Sequence, residues 1–153
     1  MQALSEILSP ARTASQVQGT SKKRLFETIA RIVCDDQGDL DYNDVLDKLI
    51  AREELGSTGL GEGIAIPHCR VGNCQSPLGT LLTLAEPIPF DAPDDKPVDL
   101  LFVLLVPEEA HQAHLDILAQ VARAFSEADY CAQLREATGN DALYRAALGD
   151  TQV

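Results

Sequence analysis

The run Val98-Asp99-Leu100-Leu101-Phe102-Val103-Leu104-Leu105-Val106 limits the possible folds more than any other stretch of this chain. It is almost unbroken in apolar character and stops at Pro107. A strand that faces water on one side alternates apolar and polar residues, and this one does not. Both of its faces must therefore be covered, which is the signature of a central strand in a layered fold. The run is also too short to span a bilayer, as is every other apolar run in the sequence.

The rest of the chain supplies the covering layers. Ser21 reads as the N-cap of a helix over 22–34, with Leu25, Ile29, Ile32 and Val33 at helical spacing. Asp41 reads as the cap of a second helix over 42–54, with Val45, Leu46, Leu49 and Ile50 inward. A long helix over 108–127 carries the stripe Leu115, Leu118, Val121, Ala122 and Phe125. Shorter helices are expected over 130–136 and 141–147, and a helical turn over 4–8. Strands are expected over 13–18, 64–66 and 78–84, besides 98–106. The Pro- and Asp-rich segment 86–95 reads as a surface loop. The fold class that follows is α/β: a mixed sheet flanked by helices on both faces, one domain spanning residues 1–153.

Charge narrows the function. Twelve basic against 24 acidic residues give a net charge of −12. That balance argues against nucleic acid, whose phosphates demand Lys and Arg, and against an anionic membrane. It favours a basic protein partner. The N-terminus lacks the basic-then-apolar pattern of a signal peptide, so a cytoplasmic protein is expected. In that compartment the four cysteines, Cys34, Cys69, Cys74 and Cys131, are expected to be reduced.

The chemistry concentrates in Gly56-Ser57-Thr58-Gly59-Leu60-Gly61-Glu62-Gly63-Ile64-Ala65-Ile66-Pro67-His68. A glycine-dense loop becomes a short apolar strand and ends on Pro67, which cannot donate to a ladder. His68 is then presented at the strand exit. A histidine there, beside a loop able to offer backbone N–H groups, suits an anion such as phosphate. The loop fits neither GxGxxG nor GxxxxGK[ST], and its glycines also serve for nothing more than a tight turn. Arg52 lies just upstream, at a helix C-terminus. It suits either a phosphoryl clamp through two donors or a solvated helix end.

His111 and His114 both border the apolar stripe near the start of the long helix. A strand ending at Pro107 that neighbours the strand over 64–66 would allow the start of the long helix to lie beside the strand exit and His114 to come within reach of His68. Otherwise each is an ordinary helix-surface histidine.

Arg52-Glu53, Leu55-Gly56-Ser57-Thr58-Gly59 and Gly63-Ile64-Ala65-Ile66-Pro67-His68, with Leu104-Leu105-Val106-Pro107 and His114-Leu115 downstream, resemble enzyme IIA of the fructose/mannitol type of the bacterial phosphotransferase system. The similarity extends across nearly the whole chain, and the Leu-Gly-Ser-Thr-Gly and Gly-Ile-Ala-Ile-Pro-His motifs resemble its nitrogen-regulatory branch. The resemblance implies a mixed sheet between helices and His68 as phosphoacceptor. It implies His114 as a second active-site histidine, and a phosphate site lined by Arg52, Ser57 and Thr58. It implies no cofactor and no metal. It implies an HPr-like phosphocarrier as donor, and target proteins regulated by the phosphorylation state. In these terms the protein is a phosphoryl-transfer component and not a stand-alone turnover enzyme. Cys69 stands where many members have glycine.

Other readings were weighed against this one. The protein is alternatively a sugar-transport IIA that passes phosphate to a separate IIB protein, or a regulatory module that passes nothing onward. Cys69 and Cys74, with His111 and His114, have spacings that touch those of zinc sites, although the histidine spacing is short. A thiol enzyme using His68 and Cys69 is disfavoured, because neighbours in extended backbone point to opposite faces.

Overall fold

The apolar run becomes β6 (Val98–Pro107), the strand on which the whole sheet is assembled. The structure is a computed structural model. It describes the backbone of residues 2–18, 21–109 and 112–149, and their side chains except those of 2, 3 and 112–114. The other strands are β1 (Thr13–Val17), β2 (Gly59–Gly61), β3 (Ile64–Ala65), β4 (His68–Val71) and β5 (Leu78–Ile88). The six-stranded sheet runs β1-β5-β6-β3-β2, with β4 also paired to β6. It is mixed: β5 lies antiparallel to β6, while β3 and β4 lie parallel to it.

Successive residues of β6 serve two different cores. Leu101, Val103 and Leu105 join one cluster with Leu25, Phe26, Ile29 and Val33 of α2 (Lys22–Asp36) and Val45 and Leu49 of α3 (Tyr42–Leu55). Leu100, Phe102, Leu104 and Val106 join the opposite cluster. Its helical members come from α1 (Gln2–Ile7), α4 (Gln112–Phe125), α5 (Ala128–Glu136) and α6 (Asn140–Ala147). The period of two along a strand thus shares one segment between two helical layers. Phe102 meets Phe125 edge-on at 5.8 Å on the second face, a geometry that adds to simple area burial.

The helix caps are those expected. Ser21 Oγ accepts from Arg24 N–H at 3.2 Å and Asp41 Oδ2 from Asp44 N–H at 2.9 Å, each satisfying a donor with no partner inside its helix. Residues 108 and 109, expected to open the long helix, form a turn instead, and the described helix covers Gln112–Phe125.

Three local features differ from the sequence expectation. The strand over 64–66 shortens to Ile64–Ala65, and His68 is not a final strand exit. The chain resumes as β4, in the same register on β6: Ile64 opposes Leu100 and Val71 opposes Pro107. Pro67 removes one donor from this edge but still accepts from Leu104 N–H at 2.9 Å, so the strand is interrupted without being ended. The glycine loop is itself partly strand, because β2 and β3 form a hairpin. Finally β5 runs on to Ile88, into the expected loop, where Ile88 opposes Val98. The rest of that loop is anchored: Phe90 is buried and meets Phe26 edge-on at 6.1 Å.

Candidate functional site

His68 opens β4 opposite Leu104, and Cys69 follows opposite Leu105. Leu104 belongs to one core cluster and Leu105 to the other, so the alternation makes the histidine and the cysteine diverge along β4, although both border one depression beside α3. That divergence speaks against a His68–Cys69 thiol pair. Burial also pushes the Cys69 thiol up to about 12, which leaves it almost wholly protonated near neutral pH.

The His68 ring is fixed by its own strand. Its Nδ1 lies 2.7 Å from the carbonyl oxygen of Ile66. A carbonyl oxygen only accepts, so the neutral ring must carry its proton on Nδ1 and its lone pair on Nε2. Burial pushes the imidazole below its ordinary value of 6.5, and the Arg52 guanidinium adds to that. The Ile66 carbonyl and the Glu53 carboxylate pull the other way and do not win. At neutral pH the ring is therefore an uncharged base with a defined tautomer, the state a nitrogen nucleophile needs.

His68 lies in an open depression of about 710 Å³ lined by Lys48, Ala51, Arg52, Leu55, Cys69, Arg70 and Glu108. Three cations line it in a protein of net charge −12. Lys48 is already paired, at 3.2 Å with Asp44 and 3.6 Å with Glu108. Arg52 gives one donor to the Gly56 carbonyl at 3.0 Å, which ties it to its own helix end.

Ser57 and Thr58 sit differently from Arg52. Ser57 Oγ donates to the Phe90 carbonyl at 2.9 Å and accepts from Gly59 N–H at 3.1 Å. Thr58 is buried, and its hydroxyl donates to Glu53 Oε1 at 2.7 Å. Both hydroxyls lock the loop against the body of the protein, and neither residue lines the depression around His68. Four of the loop's backbone donors are engaged as well. Gly56 N–H goes to the Glu53 carbonyl, Thr58 N–H to the Glu53 carboxylate, Gly59 N–H to Ser57 and Glu62 N–H to Asp94. The anion cradle expected of this loop is not offered by these amides. The glycines serve packing and turning instead. A Cβ on Gly63, where φ is +81°, would lie 2.8 Å from Arg135 Nη2.

His114 lies in the first turn of α4, but its side chain, like all of His111, falls outside the described residues. The strands β3 and β4 both neighbour β6, the strand that α4 follows. Among the described residues no three His, Cys, Asp or Glu side chains cluster as metal ligands, and no helix is long and apolar enough to cross a membrane.

Sequence reasoning gave Glu53 no role of its own, although it stands in the Arg52-Glu53 pair that carries the resemblance. It is buried, and its carboxylate holds Thr58 N–H, Thr58 Oγ1–H and Lys22 Nζ–H, the last at 2.9 Å. The available signal was the absence of any basic residue three or four positions away on its own helix that would explain an acid in the last turn.

Residues 6–148 match the family described as phosphoenolpyruvate-dependent sugar phosphotransferase system, EIIA 2. A protein of Pseudomonas aeruginosa named nitrogen regulatory protein is 50% identical over 142 residues, covering 93% of this chain and 92% of that protein. The crystal structure of the nitrogen regulatory protein IIA-Ntr from Neisseria meningitidis superimposes with a TM-score of 0.87 at 39% identity, covering 94% of this chain and 98% of that one. An Escherichia coli structure of enzyme IIA-Mtl in complex with phosphorylated enzyme IIB-Mtl shares the fold at a TM-score of 0.72. It is 16% identical and covers 94% of this chain and 99% of its own. The chain belongs to the EIIA type 2 family of the phosphotransferase system, in its nitrogen-regulatory branch.

Proposed function

We propose that this IIA protein takes a phosphoryl group on Nε2 of His68 from the phosphohistidine of an HPr-like carrier. The observation that carries the reading is the Nδ1–H bond to Ile66, which leaves the Nε2 lone pair on a neutral ring in a cation-lined depression. In the transfer, Nε2 attacks phosphorus as the donor's N–P bond breaks, and the donor imidazole keeps that electron pair. The nitrogens exchanged are alike, so little driving force is needed. Catalysis reduces to alignment and to neutralising the phosphoryl oxygens. Arg52 is suited to the second task, and Arg70 stands on the same rim. His114 is assigned to orienting or neutralising, which predicts that His114→Ala keeps some acceptance while slowing it about a hundredfold or more. Ser57 and Thr58 support the site through the loop.

The direct test is incubation with the general phosphotransferase components and labelled phosphoenolpyruvate. Wild-type protein should gain an acid-labile, base-stable label that disappears in His68→Ala. Label that survives this substitution unchanged would sink the assignment. Cytoplasmic residence follows from that donor.

The regulatory output follows from charge. Phosphorylation adds roughly two negative charges at His68. A target that buries the depression would have to desolvate them. The unphosphorylated form is therefore expected to bind its regulatory target more tightly, and affinities of both forms at two salt concentrations decide it. A separate IIB acceptor, of the kind seen with the mannitol IIA, is the second reading. It requires label to move onward.

A further inference from the structure

Two paired charges, Glu53 and Lys22, sit where their helices disfavour them. Glu53 lies in the last turn of α3, where the macrodipole favours a cation. Lys22 is the first residue of α2, where the macrodipole favours an anion. Each offsets the other across 2.9 Å, and the Lys22 ammonium also lies 4.5 Å from the centre of the Phe90 ring. Glu53 is almost fully buried, and its other contacts all go to Thr58. A buried carboxylate in an unfavourable helix position needs more explanation than fold stability, since an apolar pair of similar volume would do as well.

The path leading from Thr58 supplies that explanation. The Thr58 carbonyl accepts from Ile66 N–H at 3.0 Å. The Ile66 carbonyl, on the next peptide, is the acceptor for His68 Nδ1–H at 2.7 Å. Pro67 follows at once and limits Ile66 to extended backbone, so a residue pinned at its N–H has a fixed carbonyl direction. Four contacts therefore run in series from Lys22 through Glu53, Thr58 and Ile66 to the ring.

We propose that Glu53 is a positioning residue for His68. Its carboxylate clamps Thr58, Thr58 pins Ile66, and the Ile66 carbonyl keeps the imidazole proton on Nδ1 and Nε2 unprotonated. The proposal deepens the phosphoacceptor reading above and rests on it for its functional meaning. Glu53 touches no reacting atom in this scheme; besides the direct pull of its charge on the imidazole, it acts through the tautomer and orientation of the ring.

The experiment uses the full chain with 15N-labelled histidine. At about pH 8, where the ring is neutral, the nitrogen shifts report which atom carries the proton. Wild-type His68 should be protonated on Nδ1. Glu53→Gln presents amide hydrogens to Lys22, and Thr58→Val removes the hydroxyl that Glu53 holds. Both should shift His68 toward a mixture of tautomers and slow phosphoryl acceptance about 10- to 100-fold. Thr58→Ser keeps the hydroxyl and should restore both readouts. If Glu53→Gln fails to fold, the Val and Ser pair at position 58 carries the test alone. A wild-type tautomer in folded Glu53→Gln and Thr58→Val overturns the proposal, because a purely structural clamp would not move it. A tautomer that responds in a protein whose His68 takes no label would overturn the phosphoacceptor reading and leave the positioning intact.

Discussion

Arg12 and Glu53 are both charged and almost fully buried, and they are used in opposite ways. Arg12 joins separate parts of the fold. Its Nε donates to the Gly79 carbonyl of β5 at 3.0 Å, its Nη2 to the Ile7 carbonyl of α1 at 2.6 Å, and its Nη1 pairs with Asp36 at the end of α2. Five donors in a planar fork suit a site where three elements converge. None of these groups lines the depression around His68. Glu53 makes as many contacts, but beyond Lys22 all of them go to Thr58, in the loop that precedes the histidine. One buried ion stabilises the meeting of elements, and the other sets the geometry of a single side chain. Burial and hydrogen-bond count do not separate the two roles; the destination of the bonds does.

The comparison is broken most severely at Arg12. Arg12→Met should destabilise the protein by about 3 kcal/mol or more, because Asp36 and two carbonyls lose their partner. Urea unfolding measures this, and His68 in the surviving folded fraction should accept phosphoryl groups at close to the normal rate. Arg52→Ala should do the reverse, with a loss in acceptance of about a hundredfold. Its effect on stability should stay near that of one half-exposed helix-end contact, about 0.5 kcal/mol. A large stability loss there would mean that the site and the fold are not separable at this helix end.

The pH dependence sharpens the same point on a smaller scale. The folded pKa of His68 lies below its unfolded value of 6.5. Between these two values the unfolded chain binds more protons than the folded one, so stability rises with pH through that window. His68 thus costs no stability above the unfolded value, and the protein loses stability as pH falls through the window. Unfolding curves of wild type and His68→Ala across this range should converge at neutral pH and separate in acid. Acceptance should persist below pH 6.5 for the same reason. The smallest effect is expected at Cys69. With its thiol pushed to about 12, it should react with Ellman's reagent far more slowly than an exposed cysteine, and Cys69→Gly should leave acceptance nearly unchanged.

The layers were legible because their signals are local. Ser21 and Asp41 announce helices by a single side chain, and the stripe of α2 and the unbroken run of β6 need no partner to be read. The strand β4 was not legible. Of His68, Cys69, Arg70 and Val71 only Val71 is buried, so neither alternation nor an apolar run marks them. Their extended form comes from continuing the register that β3 already has on β6. The same holds at the site. The Pro67-His68 exit and Arg52 could be picked out from residue types and spacing. The parts played by Ser57, Thr58 and Glu53 could not, since their partners are Phe90, Ile66 and Lys22, up to 33 positions away. A hydroxyl near a histidine reads the same in a sequence whether it meets a ligand or a carboxylate.

The sharing of β6 between two helical layers has a consequence for how the protein comes apart. Neither layer owns the strand that it covers. Removing α2 and α3 would bare Leu101, Val103 and Leu105, and removing the opposite helices would bare Leu100, Phe102, Leu104 and Val106. Either loss leaves half of a continuous apolar segment in water, with nothing to retain it in the sheet. The molecule thus has no stable half. Its two cores are one cooperative unit, and the backbone amides of β6 should be the last to exchange with solvent because they open only when everything does.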